Sequence, residues 1–435
     1  MTAATLPVPE GYRILDIDGV RSQLADLPVS GRLGGQPADW VIEEVGDGNL
    51  NLVFIVRGPE SGFAVKQALP YVRLVGESWP LPLSRAYFEH RALTIHSEHV
   101  PRLVPKIHHY DDTLALIVME LLEPHIIMRH GMIAGTEYPG FADDIAEFMA
   151  RTLFSTSALA LPADQMKAMT AEFAGNTAMC RITEDVIFTE PYMIAENNRW
   201  TEPWLDLYAE ATRKDTDLKI AVTRLKRQFM GAPEALIHGD LHTGSVMLWA
   251  EDTRVIDPEF AFMGPMGFDI GAVVGNLLLN YFSQIGHEAA PGDRDAYRQW
   301  ILATIETVWN RFRRQFLDLW ESSIKGDAGG DIYGAGLFAD PEGMAALARE
   351  REHYMDRLLT DALGFAAAKM TRRLLGVAHN IDLECISDTK CRATAEVRSL
   401  KLARDLMVNT DRYPTMGHVT DAARAMNTHQ PDFAD

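Results

Sequence analysis

The stretch ALIHGDLHTGSVMLWAEDTRVIDPE, residues 235–259, constrains this chain more than any other. ALIHGD closes a short apolar strand, VMLW (246–249) and RVID (254–257) read as two further strands, and AEDT between them reads as a turn. Strands joined by so short a turn pair antiparallel, which returns the two open ends of the hairpin to one place. The loop 240–245 is therefore expected beside 257–259, and three carboxylates, Asp240, Asp257 and Glu259, are expected to converge.

Carboxylates at the open end of a hairpin suit phosphoryl transfer. Asp240 would accept the proton of an acceptor hydroxyl, while Asp257 and Glu259, as hard oxygen ligands, would hold Mg²⁺ between phosphates. His238 and His242 have the four-residue spacing of a zinc pair, but that spacing points both rings one way only on a helix, and Gly239 and Asp240 form a loop. His238 is instead expected to tie the loop to nearby backbone, and His242 to serve a local structural role.

Two other segments supply cations. GDGN (46–49) lies between β-rich runs and Lys66 follows in a later one, which together could cradle phosphates; taken alone, GDGN reads first as a glycine-rich hairpin turn. Glu89, on the next helix, could hold Lys66 toward the phosphates or could simply face solvent. In KMTRRLLG (369–376), Arg372 and Arg373 interrupt an apolar stretch. Neighbouring helical residues point about 100° apart, so the pair either forms a structural salt bridge or steadies sugar hydroxyls and phosphoryl charge.

These segments sit in a two-part chain. Residues 40–69 give three short strands broken by glycine-bearing turns, and a helix of about four turns follows Ser84, its expected N-cap, with Phe88, Ala92 and Ile95 on one face. VPKIHHYDD and LALIVMELL add a strand pair. From Phe141 onward the periodicity is mainly helical, including one helix over WLDLYAEATRKDTDLKIAVTRLKRQF and a long one from about Glu342 to Val377. The expected class is α+β, with a β-rich N-terminal lobe (1–122) and a mainly helical C-terminal lobe (123–435). Residues 326–343, with six glycines in eighteen positions, read as a mobile surface insertion.

Composition narrows the partners. Acidic residues outnumber basic ones 61 to 41, a net charge of -20, so nucleic-acid backbones and anionic lipid surfaces would be repelled. Neither a nucleic-acid nor a membrane partner is expected. The longest apolar runs fall short of the roughly 18 residues that span a bilayer. Three cysteines, none in a CxxC spacing, together with the lack of a signal-peptide pattern at the first residues, point to a reducing, cytoplasmic setting.

In this order, GDGNLN with Lys66, ESWPLPLSRAYFE, HGDLHTGS, DPEFAFMGPMGFDIGA and KMTRRLLG resemble the 5-methylthioribose kinases. These belong to the aminoglycoside-phosphotransferase and choline-kinase branch of the protein-kinase-like fold, and the resemblance runs from about residue 35 to about 405. It implies a bilobal fold, ATP and Mg²⁺, and phosphorylation of the anomeric hydroxyl of 5-methylthioribose in methionine salvage. It further implies Asn49 and Lys66 at the ATP phosphates, Glu120, Leu121 and Leu122 as the hinge facing adenine, and Asp257, Pro258 and Glu259 at metal and nucleotide. Asp240 would be the catalytic base, Arg372 or Arg373 would meet the sugar, Trp79 would sit in a flap over it, and Asp269 would brace the catalytic loop. Ser245 stands where broader kinase-like enzymes carry a metal-binding Asn, and Glu259 is expected to compensate. A homodimer is also implied. Another acceptor, such as homoserine, choline or an aminoglycoside, and a non-catalytic nucleotide-binding regulator remain the alternatives; paired arginines argue against cationic acceptors.

Overall fold

The computed structural model describes residues 8–46, 50–72, 76–324 and 330–433. Asn49, expected at the phosphates, lies outside the described residues. Helix α1 (Ile17–Ala25) begins where the Asp16 side chain accepts from Gly19 N, a local N-cap. It is followed by β1 (Val41–Val45), β2 (Asn51–Arg57), β3 (Gly62–Ala68), the small pair β4 (Tyr71–Val72) and β5 (Gly76–Pro80), helix α2 (Arg85–His99), β6 (Ile107–Asp111) and β7 (Leu116–Glu120). The main sheet has the order β1-β2-β3-β7-β6 and is antiparallel throughout.

Alternation along these strands decides what each face carries. Phe54 and Val56 of β2, Phe63 and Val65 of β3 and Leu116 and Val118 of β7 fill one small core. Side chains of a strand alternate between faces, so Lys66 points away from that core, toward α2. Helix α2 buries Phe88, Ala92, Leu93 and Ile95 in the larger core of the helical part.

Beyond β8 (Ile126–Ile127) the chain forms α3 (Met128–Ala134), α4 (Phe141–Ser155), α5 (Ala163–Phe173), α6 (Thr177–Val186), α7 (Asp206–Lys214) and α8 (Thr216–Gly231). Then come β9 (Ala235–Ile237), β10 (Val246–Trp249), β11 (Asp252–Val255) and β12 (Phe262–Gly264). The last elements are α9 (Gly267–Ser283), α10 (Asp295–Ile324), α11 (Pro341–Leu375), α12 (Ile381–Glu384), α13 (Thr389–Val408) and α14 (Met416–Asn427). Every residue of α9 is buried, and α11 lies directly against it. Gly271 permits that approach, since a Cβ there would stand 2.5 Å from the Ala362 carbonyl oxygen. The contact sets α11, with its basic turn, against the loop that α9 braces.

Some local expectations change. The single helix expected over residues 204–229 is two, because Asp215 ends α7 and caps α8 by accepting from Leu218 N. Ser84 occupies the N-cap position of α2 but makes no capping hydrogen bond. Strand β11 starts at Asp252 and stops at Val255, leaving a turn at Ala250 and Glu251 and freeing Asp257 from the ladder with φ +71°. The described part of the glycine-rich segment is packed, not a loose excursion: Gly330 N donates to Leu159 O, Asp331 accepts from Ala163 N, and Tyr333 meets the Trp320 ring at 5.3 Å. Among the described residues, no helix is long and apolar enough to cross a membrane.

Candidate active site

The loop after β9 is fixed by backbone geometry and one buried acid. Gly239 has φ +81°, a left-handed conformation, and a Cβ there would fall 2.2 Å from Phe260 O. Asp269, at the start of α9, accepts from His238 N at 2.6 Å and from Gly239 N at 3.0 Å. His238 accepts from Asp240 N at Nδ1 and donates from Nε2 to Ile256 O at 2.9 Å. Ser245 Oγ donates to Asp240 O, and its carbonyl accepts from Ile256 N, so the loop does lie beside the strand end that leads to Asp257.

Asp240 emerges from this loop 27% exposed, with both oxygens engaged. Lys369 Nζ of α11 donates to Oδ1 at 2.8 Å, and His242 Nε2 lies 3.3 Å from Oδ2. Burial works to raise the pKa of this carboxyl; Lys369, His242 and Arg373 outweigh it and hold the group well below the usual carboxylate range. Burial itself drives the His242 pKa down to about 3, so the ring is neutral.

The compact carboxylate group differs from the expected one. Glu89, Asp257 and Glu259 bring ligand oxygens within 4.8 Å of one another, with Glu89 taking the place expected for Asp240, which turns instead toward α11. Lys66 Nζ bridges Glu89, at 2.7 Å, and Asp257. Glu89 is therefore buried against a cation and does not face solvent. Burial opposes the Lys66 charge, but Asp257, Glu89 and Glu259 together raise its pKa. Burial raises Glu89, against the pull of Lys66. Glu259 Oε2 accepts from Asn51 Nδ2 at 3.0 Å and from Arg85 Nε at 3.2 Å, and the Glu259 and Ala261 carbonyls accept from Asn176 Nδ2.

The remaining expected residues fall around these two centres. Glu120 ends β7, where its carboxylate accepts from Lys106 N and from Arg254 and its own N–H donates to Lys106 O. Leu121 and Leu122 continue half-buried, Leu121 against Gly62. Pro258 is buried between Asp257 and Glu259. Trp79 is half-buried in β5. Arg373 is buried and donates to Ala378 O at 2.7 Å, whereas the buried Nε of Arg372 has no hydrogen-bond partner. Among the described residues neither arginine forms an ion pair, so the salt-bridge reading does not describe them. Phe262, Met263 and Met266 are core.

Several residues of the site went unread in the sequence. Lys369 precedes Arg372 and Arg373 by three and four positions, the spacing that puts helical side chains on one face. Arg85 precedes Glu89 by four on α2 and has the same signal. Arg129 of α3 bonds Thr243 Oγ1 and Asn276 Oδ1, each at 3.1 Å, and lies 3.4 Å from Asp382, a long-range cluster that no sequence spacing announces.

A sequence model described as a phosphotransferase enzyme family matches residues 41–313. The chain is 46% identical over 412 residues to methylthioribose kinase 1 of Oryza sativa subsp. japonica, covering 94% of this chain and 95% of that one. It is 44% identical over 420 residues to methylthioribose kinase of Escherichia coli O45:K1, covering 96% and 99%. Methylthioribose kinase of Yersinia pseudotuberculosis serotype O:1b is 39% identical over 406 residues, covering 92% and 95%.

Proposed function

This chain belongs to the phosphotransferase enzyme family and, within it, to the methylthioribose kinases, and we propose that its two charged centres divide the work of one reaction. The enzyme phosphorylates methylthioribose with ATP, a step of methionine salvage. The acceptor atom is the anomeric hydroxyl, and the product is the 1-phosphate.

The observation that carries this reading is Asp240, an ionised and partly exposed carboxylate at the open end of the hairpin, with Arg372 and Arg373 on the helix opposite. Asp240 orients the hydroxyl and takes its proton as the new O–P bond forms and the bond to the leaving ADP breaks. Lys66, aimed by Glu89, supplies a point charge for the ATP phosphates. Arg372, with Nε unpartnered, is free to meet the sugar, while Arg373 adds positive charge behind it. The strand end at Glu120, Leu121 and Leu122 receives adenine, Trp79 covers the sugar from the β4–β5 hairpin, and the division between lobes follows Leu122.

The oxygens of Asp257 and Glu259, with Glu89 close by, fit Mg²⁺, which prefers hard oxygen ligands. The crowding of three carboxylates is the feature that favours a cation there, since burial and Asp257 raise Glu259. Bound at Asp257 and Glu259, Mg²⁺ would neutralise charge on the phosphates of ATP. A cationic acceptor such as choline or an aminoglycoside is opposed by Lys369, Arg372, Arg373 and Arg129, which all face Asp240.

The test is ADP release from Mg-ATP with 5-methylthioribose, ribose, homoserine, choline and kanamycin offered separately. Turnover confined to methylthioribose supports the reading; turnover with a different acceptor overturns the substrate. Asp240→Asn is expected to lose about 10²–10⁴-fold in kcat while still binding ATP in calorimetry. Wild-type turnover by that variant would remove Asp240 from the base role.

A further inference from the structure

We propose that Lys369 is a positioning residue for phosphoryl transfer: its ammonium, reaching from α11, keeps the Asp240 carboxylate charged and fixes its orientation toward the acceptor hydroxyl. This rests on the base role given to Asp240 above and adds a residue that acts through it.

The geometry is specific. Lys369 is buried 4% exposed, and its Nζ donates to Asp240 Oδ1 at 2.8 Å. The same ammonium stands 4.4 Å from the centroid of the Phe268 ring, whose face stabilises a cation, while Phe268 itself is fully buried. Phe268 adjoins Asp269, the acid that ties down His238 and Gly239. Lys369 is thus clamped between a wall at the head of α9 and the carboxylate it serves. With His242 Nε2 at 3.3 Å from Oδ2, the carboxylate is gripped from a helix on one side and from its own loop on the other. Each oxygen keeps a further lone pair for an acceptor hydroxyl.

A buried lysine has a cost in desolvation that a surface lysine avoids, and a salt bridge at this depth adds little stability by itself. What it changes is the charge state of Asp240. The titratable and charged groups that face Asp240 are Lys369, Arg372 and Arg373 from α11, Arg129 from α3, His242 from the loop, and His238 behind it. Of the cations, Lys369 acts most strongly against the burial that would raise the carboxyl. Without it Asp240 is both less firmly oriented and easier to protonate.

The experiment uses the full-length protein and reads kcat against pH from about pH 5 to about pH 9, where His242, with a pKa of about 3, does not titrate. K369M is expected to lose roughly 10²-fold in kcat, the scale of a misplaced catalytic group. Wild type, with Asp240 held well below the usual carboxylate range, should stay flat at the acid end of this window, whereas K369M should bring an acid limb into it, because burial is then left to raise the carboxyl. K369R should restore part of both. In a D240N background K369M should cost nothing more, because Lys369 acts through Asp240. A slow K369M that is as flat as wild type at the acid end of the window, or one whose loss persists in full in the D240N background, overturns the proposal and leaves Lys369 a structural residue. Should K369M fail to fold, K369Q, which keeps an N–H donor on a side chain one atom shorter and removes the charge, is read by the same profile and the same cycle. D240N turning over at the wild-type rate would instead overturn the base role, so the two failures are distinguishable.

Discussion

Arg85 and Glu259 meet at 3.2 Å with neither side chain more than 4% exposed, 174 residues apart in the chain. The guanidinium also donates to the carbonyls of Leu69, Pro82 and Leu50 and to Asn51 Oδ1, so one side chain from α2 ties the sheet to the acidic turn after β11. Removing one partner of a buried pair leaves the other charge uncompensated. Arg85→Met should therefore cost about 3–5 kcal/mol in urea denaturation. Adding Glu259→Gln should return part of it, because the stranded charge is gone. A single variant within about 1 kcal/mol of wild type would overturn this account.

How much of this was legible depended on sequence distance. The β10–β11 hairpin follows from a turn of two residues and strands of four, all local, and it brings Ser245 beside Ile256 as the sequence requires. The break at Asp215 was also readable, since Asp-Thr before an apolar repeat is a helix start, yet the longer periodicity across it masked the cap. The pairings of Lys369 with Asp240 and Arg85 with Glu259 were hidden for a different reason. A buried charge on a helix has the same one-letter pattern as a solvated one, and only long-range packing decides which it is: that of α11 on α9, through Gly271 and Ala362, for Lys369, and that of α2 against the acidic turn after β11 for Arg85. Asp240 and Glu89 show the same limit: the hairpin placed Asp240 at the right end of the molecule, but α11 turned it away from the carboxylate cluster that α2 completes.

Gly239→Ala tests the loop through its backbone. At φ +81° an L-residue pays roughly 1–2 kcal/mol, and the added methyl would overlap Phe260 O at 2.2 Å. Phe260 follows Glu259 directly, so relief of the overlap must shift the acidic turn. The variant should lose at least about 2 kcal/mol of stability and roughly 10²-fold in kcat, measured by denaturation and steady-state kinetics. Wild-type kinetics in a destabilised protein would separate the loop from the turn.

Asp269→Asn tests the brace. Each carboxylate oxygen of Asp269 accepts one backbone N–H, from His238 and from Gly239. An amide has one acceptor oxygen, so its NH₂ would confront the second N–H, donor against donor. The expected loss is about 2–4 kcal/mol, with lower kcat because the displaced loop carries Asp240. Unchanged thermal stability would show that the loop holds its shape without the acid.

The last expectation concerns pH and a residue outside the site. His96 of α2 is 1% exposed and stands edge-on to the Phe148 ring at 5.3 Å. Burial lowers its pKa from 6.5 to about 3, His238 and His99 push the same way, and the backbone of Leu236 opposes them weakly. The folded chain thus keeps the ring neutral, while the unfolded chain takes up a proton near pH 6.5. Acid favours whichever state binds the proton, which here is the unfolded one. The folded state therefore loses stability as pH falls from about 6.5 toward about 3, with a limiting slope near 1.4 kcal/mol per pH unit. Between about pH 7.5 and pH 5.5 this one histidine should cost about 1.4 kcal/mol. His96→Leu removes the titrating ring and keeps apolar contact with Phe148, so its stability should fall by that much less over the same interval. Urea unfolding of both proteins at the two pH values gives the difference directly, and equal drops would mean that His96 is protonated alike in the folded and unfolded chains.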